Sequence, residues 1–259
     1  MLVRCKIGVA ILALFTLCAL KGAFGIDLLT RDLEVRVGKQ AAVEVEREYG
    51  GALVSGVHVE RLQRVGSKIA SVCPRKDVSY TFKVLNNDEW VNAVSLPGGF
   101  VYVTKRLMDL CSTDEELAYV VGHEVAHIAM KHARKQISER LALGVAASVF
   151  VPDSEIVRMG VSVALALHER GYSRSHEREA DKYGVIYMMQ AGYNPIGALK
   201  VLNMFLRMEG SRDSAITRLL RTHPHPRERL QYVRRVISQH GAKYGFNLQA
   251  IEEQLKGQQ

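Results

Sequence analysis

Beyond its first 25 residues the chain carries only two cysteines, Cys73 and Cys111, and neither is near the histidine pair described below. That scarcity argues against a structural zinc site closed by thiolates. The chain also lacks an internal repeat and a linker of low complexity, so one catalytic domain is expected rather than an array. Aromatic residues make up only 7%. They do not interleave with the positive residues, which are scattered over Arg134, Lys135 and Arg140 and over Arg227, Arg229, Arg234 and Arg235. Such charges read as solvated helix faces, and no nucleic-acid partner is expected.

What is present is enough apolar material, 47% of 259 residues, to bury one sizeable core. Residues 1–25 have the form of a secretory signal: Arg4 and Lys6 precede an apolar run from Ile7 to Leu20, and Ala23-Phe24-Gly25 supplies small residues for cleavage. Cleavage after Gly25 is expected, with an uncleaved N-terminal anchor as the alternative. Lipidation at Cys18 is disfavoured because Leu17 stands where a small residue is needed. Either way the chain is exported, to a periplasm or cell envelope. Removing Arg4, Lys6 and Lys21 with this segment lowers the formal charge from +8 to +5, mild enough to leave attraction to an anionic membrane surface open. In an oxidising compartment Cys73 and Cys111 could bridge or remain two separate buried thiols.

Apolar residues recur at helical spacing over 38–49 and 57–72. Alternation then takes over around Tyr80-Phe82-Val84, Trp90 to Val94 and Phe100 to Thr104, which predicts a small sheet with a turn at Leu96-Pro97-Gly98-Gly99. The rest is helical by pattern. A capping box at Ser112-Thr113-Asp114-Glu115 starts a helix through Leu117 to Ile128, and further helices fit 135–150, 154–169, 175–190, 195–208, 226–238 and 248–256. The expected class is α+β, mainly α, with a small β-sheet beside the capped helix.

That helix carries His123-Glu124-Val125-Ala126-His127, a His-Glu-x-x-His motif. Residues four apart share a helix face, so both imidazoles can address one ion while Glu124, about 100° around, borders the open coordination position. This is the layout of a hydrolytic zinc: neutral imidazoles leave the metal Lewis acidic, and a carboxylate accepts the proton of the attacking water. A third ligand is needed. A histidine six residues after His127 is excluded by Ala133. Within His176-Glu177-Arg178-Glu179-Ala180-Asp181, the apolar stripe Ala180, Tyr183, Gly184 and Tyr187 places Glu177 within about 50° of its centre and Glu179 more than 100° away. Glu177 is the expected ligand, and Asp181, four residues on, the acceptor of a ligating histidine's spare N–H. His132, His168 and His176 are expected at the surface.

Together with Asn92 to Gly99 and Thr222-His223-Pro224, these residues resemble the M48 metallopeptidases over most of residues 38–240, a family that includes heat-shock membrane peptidases, prenyl-protein proteases and mitochondrial and periplasmic quality-control peptidases. The order and spacing are most similar to its secreted single-domain type, with residues 26–259 as the peptidase domain. The resemblance implies a gluzincin-type zincin fold, one Zn2+ per chain and an ATP-independent endopeptidase acting on misfolded or envelope proteins. It further implies that the strand at Asn92, Ala93 and Val94 is an edge to which extended protein or peptide substrates add. Membrane-embedded relatives have long spanning helices. Here Leu141 to Val151 ends at Pro152 and Ile156 to Leu167 is broken by Arg158, so neither reaches the ~20 residues a bilayer requires. Those segments read as helices beside the site or a plug over it, and prenyl-protein processing within a membrane is not expected.

His223 sits in a loop stiffened by Pro224 and Pro226, where it could stabilise an oxyanion, cap the metal in a resting state, or simply belong to the cap of the next helix. It is preferred to His225 because the family pattern is Thr-His-Pro. The rival function is a non-enzymatic envelope chaperone or assembly factor on the same fold. Glu124 weighs against it, since a purely structural zinc has no use for an adjacent base.

Overall fold

A computed structural model of the chain describes residues 29–145 and 151–257. The signal or anchor expected over residues 1–25 lies outside them, as do Cys5, Cys18 and the core of the apolar run at 146–150. No helix among the described residues is long and apolar enough to cross a membrane.

The described chain begins with α1 (Arg31–Glu48) and α2 (Val57–Val72) and passes into strands β1 (Thr81–Leu85), β2 (Ala93–Leu96) and β3 (Phe100–Thr104). The remainder is helical: α3 (Lys105–Leu110), α4 (Asp114–Ala129), α5 (His132–Val145), α6 (Asp153–Arg170), α7 (Arg174–Gln190), α8 (Ile196–Gly210), α9 (Thr217–Thr222), α10 (Pro226–His240) and α11 (Leu248–Lys256). The mainly helical α+β expectation agrees with this order. Two short helices, α3 and α9, and 3-10 turns at Ser214–Ile216 and Gly241–Tyr244 are too brief for periodicity to reveal.

Several boundaries differ from expectation for identifiable reasons. Helix α1 starts at Arg31 instead of Gly38 because Thr30 caps it, its hydroxyl accepting the Leu33 N–H. Gly38 is an interior contact: a Cβ there would lie 1.8 Å from the Pro97 carbonyl oxygen, so its absence lets α1 touch the β2–β3 turn. In α4 the capping box is one residue later than expected. Thr113 accepts the Glu116 N–H at 3.3 Å, and the Glu116 carboxylate accepts the Ser112 N–H at 2.7 Å. Strand β2 begins at Ala93, not Trp90, because Asn87 Oδ1 takes the Trp90 N–H at 2.8 Å and the Ala215 carbonyl takes that of Val91 at 2.9 Å.

The sheet order is β1-β3-β2, with β1 parallel and β2 antiparallel to β3, so β2 is an edge. Period-two alternation divides its side chains between two cores. Phe82, Val84, Ala93, Val101 and Val103 pack towards α2, α4, α7 and α8, while Val94, Leu96 and Tyr102 pack towards α1, α5 and α6. Cys73 and Cys111 are separate buried thiols. Burial pushes the Cys111 thiol up to about 12.

A buried ion cluster joins these layers. Glu34 on α1, 1% exposed, takes both ends of the Arg75 guanidinium at 3.0 and 2.6 Å, Arg134 at 3.1 Å and the Gly98 N–H at 3.2 Å. Arg75 also donates to the Ile128 carbonyl near the end of α4 at 2.8 Å. One carboxylate thus holds the tip of the hairpin against both α1 and the motif helix. Arg75→Met is expected to cost about 3–5 kcal/mol because Glu34 loses its bidentate partner while remaining buried. Urea denaturation followed by far-UV circular dichroism measures this.

Candidate metal centre

Helices α4 and α7 meet backbone to backbone. A Cβ on Gly122 would stand 2.7 Å from the Gly184 carbonyl oxygen, and one on Gly184 would stand 2.8 Å from the His123 nitrogen. Real Cβ atoms do not approach so closely, so only glycine at both positions permits this crossing. The crossing lies beside His123 and less than two turns from Glu177, and it brings the motif face of α4 onto the acidic face of α7.

There His123, His127, Glu177 and His223 place potential ligand atoms within 4.8 Å of one another. His123 Nε2 and His127 Nε2 are 3.1 Å apart, and Glu177 oxygens lie 3.5 Å from the first and 3.2 Å from the second. Ligand atoms around a tetrahedral zinc at Zn–N of ~2.0–2.1 Å are separated by roughly 3.3 Å. The spacing therefore fits, and Glu177 Oε1 is buried with no hydrogen-bond partner, as expected of an atom meant for an ion. His223 Nδ1 is 2.9 Å from Glu177 Oε2, and its Nε2 is 3.7 Å from Glu124 Oε1. His225 is exposed, in the left-handed conformation (φ 61°) at the start of α10.

Each imidazole of the motif has an outer partner. His123 Nδ1 faces Asp181 Oδ1 at 3.0 Å, and Asp181 is itself held by the Tyr119 hydroxyl at 2.9 Å and by Arg229 at 2.7 Å. Arg229, expected on a solvated face, is buried, because Asp181 on α7 gives it a partner inside. Burial opposes ionisation of Asp181, but Arg229 and His123 outweigh it and hold the carboxyl down at about 2. For His123, burial and Arg229 oppose the charged form, and Glu177 and Asp181 overcome both to carry it up to about 9. Glu177 is held well below the usual carboxylate range: burial raises it, while His223 and His123 lower it more.

His127 has a partner that sequence reasoning missed. His132 was expected at the surface, yet it is fully buried, with Nδ1 2.9 Å from His127 Nδ1 and Nε2 2.8 Å from Glu179 Oε2. If His127 offers Nε2 to an ion, its Nδ1 must be the donor. His132 Nδ1 then accepts, His132 Nε2 donates, and Glu179 ends the chain. Burial, reinforced by His127, His176 and Lys135, depresses His132 to about 2, which keeps it neutral as this arrangement requires. The sequence signal was weak because Lys131, a non-glycine residue at φ 59°, turns the chain so that His132 folds back beneath His127. His168 is also buried rather than exposed, paired with Glu48 at 3.0 Å, and His176 is half-buried, stacked on His132 with ring centroids 4.2 Å apart.

Glu124 borders this group. It is buried and accepts the Ser95 hydroxyl at 2.6 Å, so the motif carboxylate is anchored to strand β2. Burial raises its pKa, but His223, His123 and His127 and the Ser95 hydrogen bond bring it below its ordinary value. The pairing of β2 with β3 sets which backbone groups face outwards. Thr104 donates to the Asn92 carbonyl at 3.0 Å, so the alternation of an antiparallel ladder turns Val94 inwards and leaves the N–H and C=O groups of Ala93 and Ser95 on the free edge. Asn92 precedes the strand, its amide donating to Tyr49 Oη at 2.7 Å. Tyr172, which no motif signalled, stacks on His127 with centroids 4.1 Å apart. Together with Leu167, His168 and Gly171 it closes a cleft of about 20 Å³ against Ala93, Val94, Ser95, Glu124 and His223.

The model of peptidase family M48 matches residues 58–237, and the chain belongs to that family. It is 29% identical over 208 residues to the mitochondrial metalloendopeptidase OMA1 of Schizosaccharomyces pombe, covering 78% of this chain and 60% of that one. It is 26% identical over 222 residues to the metalloprotease LoiP of Escherichia coli, covering 82% and 84%. Against a putative beta-barrel assembly-enhancing protease of Vibrio cholerae it is 25% identical over 222 residues, covering 81% and 45%. The match thus spans only about half the length of the first and third of these relatives. Family and donor set both point to a bound metal ion.

Two outcomes are expected. Gly184→Ala forces α4 and α7 apart and weakens metal binding along with fold stability, the latter by about 1–3 kcal/mol as for other overpacked contacts. His132→Ala weakens metal affinity by roughly 10–100-fold. Chelator competition on the purified proteins measures both affinities.

Proposed function

We propose that this member of family M48 is a zinc-dependent, ATP-independent endopeptidase in which His123, His127 and Glu177 hold one Zn2+ per chain and Glu124 is the general base. The observation that carries the reading is the placement of Glu124: a buried, ionised carboxylate fixed by Ser95 beside three metal donors. Burying a charge is costly even where, as here, a hydroxyl and imidazoles compensate it, so a role for the carboxylate is expected. A non-enzymatic chaperone with zinc as structural glue would gain nothing from it, and a structural site would be closed by four ligands, usually with cysteine among them.

Zinc bound there supplies a Lewis acid for the scissile carbonyl and lowers the pKa of water. Glu124, held ionised by the neighbouring imidazoles, takes a proton from the attacking water and delivers it to the departing amine. Asp181 and Arg229 fix the ring of His123, and His132 and Glu179 fix that of His127. The reach of His223 to both Glu177 and Glu124 supports a role for it in stabilising the oxyanion or in capping the metal in a resting state.

The edge strand supports extended binding. Ala93 and Ser95 would pair with the substrate backbone, Val94 would contribute packing, and Asn92 would brace the strand from behind through Tyr49. A backbone-reading site implies low side-chain selectivity over most of the substrate. The 20 Å³ cleft holds about one water, so a peptide strand can dock only after residues 167–172 move away from β2. Misfolded or envelope proteins are the proposed substrates, in keeping with the export signal read at residues 1–25 and with relatives named for beta-barrel assembly. The exported chain would reside in a periplasm or cell envelope, and its mild positive charge suits contact with an anionic membrane surface.

Metal content and casein cleavage of protein lacking residues 1–25 test the reading. Wild type should bind one zinc and cleave. Glu124→Gln should keep its zinc while its rate falls by roughly 10²–10⁴. Glu177→Ala should lose both metal and activity. Zinc-loaded wild type and His223→Ala proteins that cut no unfolded substrate would overturn the peptidase assignment.

A further inference from the structure

A larger cavity, of about 240 Å³, adjoins the metal group at Glu177. It lies between the start of α7 and the first three turns of α10, and its wall is strongly cationic: Arg174, Arg178, Arg229 and Arg235 line it with Glu228 and Tyr232. Two charges in the wall are already committed. Arg229 is neutralised by Asp181 at 2.7 Å, and Glu177 belongs to the metal group. That leaves Arg174, Arg178 and Arg235 facing Glu228 alone, and among the described residues none of these three arginines has an ion-pair partner. All three are exposed at the cavity mouth, and two of them share one aromatic contact. The Tyr232 ring holds the guanidinium carbons of Arg178 and Arg235 at 4.9 and 5.8 Å from its centroid. No side chain caps α10 at His225, so the positive end of that helix dipole adds to the same field.

We propose that this cavity is a substrate subsite that takes a carboxylate of the bound peptide, close to the scissile bond. The inference rests on the peptidase reading and adds charge selectivity to it. Size favours a single peptide residue: 240 Å³ is below the roughly 300 Å³ at which pockets for cofactors and drug-sized ligands begin. Position favours the substrate, because Glu177 belongs both to the cavity wall and to the metal group. An extended peptide crossing the metal advances ~3.3–3.6 Å per residue, so the three positions on either side of the cleaved bond cover roughly 10 Å each way, the span that test peptides have to scan. Planar guanidiniums pair with carboxylates through two parallel hydrogen bonds, which makes an acidic side chain or a free C-terminal carboxylate the matching chemistry.

The test uses quenched fluorogenic peptides that differ only in carrying Glu, Gln or Lys at each of the three positions on either side of the cleaved bond, each made with a free and an amidated C-terminus. Wild type should prefer Glu to Gln at one position, or the free acid to the amide, by roughly 5–20-fold in kcat/KM, with Lys disfavoured. A preference for Glu identifies a side-chain subsite, and a preference for the free acid identifies a terminus. In Arg178→Gln/Arg235→Gln protein of unaltered zinc content and melting temperature, that ratio should fall to near one. Binding of the same Glu and Gln peptides to the Glu124→Gln protein, read by fluorescence anisotropy, should show the same preference without any turnover. Absence of cleavage therefore counts against the peptidase reading alone. Equal handling of Glu, Gln and both termini by wild type, or a ratio that survives in the double variant, overturns the subsite.

Discussion

The contact on which the rest of the site depends is the one between Gly122 and Gly184. Helices normally keep their axes 8–10 Å apart because side chains stand between them. Here the peptide backbones themselves touch, and the two motifs on these helices are brought within the spacing that metal donors require. Every other part of the site follows from that crossing. His123 is adjacent to the contact, Glu177 and Asp181 lie one to two turns back along α7, and the outer partners Arg229 and Tyr119 close around Asp181 from α10 and α4. The crossing itself costs helix propensity at two glycines, a charge that burial of the surrounding Val, Ala and Tyr side chains more than offsets.

Around that crossing the protein buries more ionisable groups than a core of this size would tolerate without order among them. Each is matched. Asp181 is satisfied by Arg229, Tyr119 and His123, Glu124 by Ser95, and Glu34 by Arg75, Arg134 and the Gly98 N–H. Among the four carboxylates Glu34, Glu124, Glu177 and Asp181, one buried oxygen of Glu177 is left without a hydrogen bond, and it points into the donor set. An unsatisfied carboxylate oxygen that faces two imidazole nitrogens is a stronger indication of an intended ligand than the same atom in a loosely paired surface cluster.

How legible this was in the sequence differs from residue to residue. The motif helix, its cap region and the inward turn of Glu177 and Asp181 could be read because a helix converts spacing into direction by a fixed angle. Glu179 shows the limit of that argument. Helical angle put it away from the apolar stripe, which is so, but it could not reveal that His132 comes to meet it there. His132 depends on a single left-handed residue, Lys131, and no periodicity encodes such a turn. Arg229, Tyr172 and Glu34 were invisible for a related reason: each matters through partners 41 to 110 positions away, in a different element, or through a ring stacked across the cleft. The start of β2 was misplaced because one asparagine, Asn87, captures the Trp90 N–H and delays the strand to Ala93.

Strand β2 has a property that only the assembled molecule discloses. Ser95 presents its backbone to the free edge of the sheet while its hydroxyl anchors Glu124. Whatever pairs with that edge is therefore indexed to Glu124 through the atoms of one residue, as if along a ruler whose zero mark is bolted to the tool. Flexing of the hairpin displaces docking edge and anchor in concert and leaves their relation to each other unchanged. Tolerance of motion and accuracy of placement, which in a site assembled from independent loops would compete, are here carried by the same short stretch of chain.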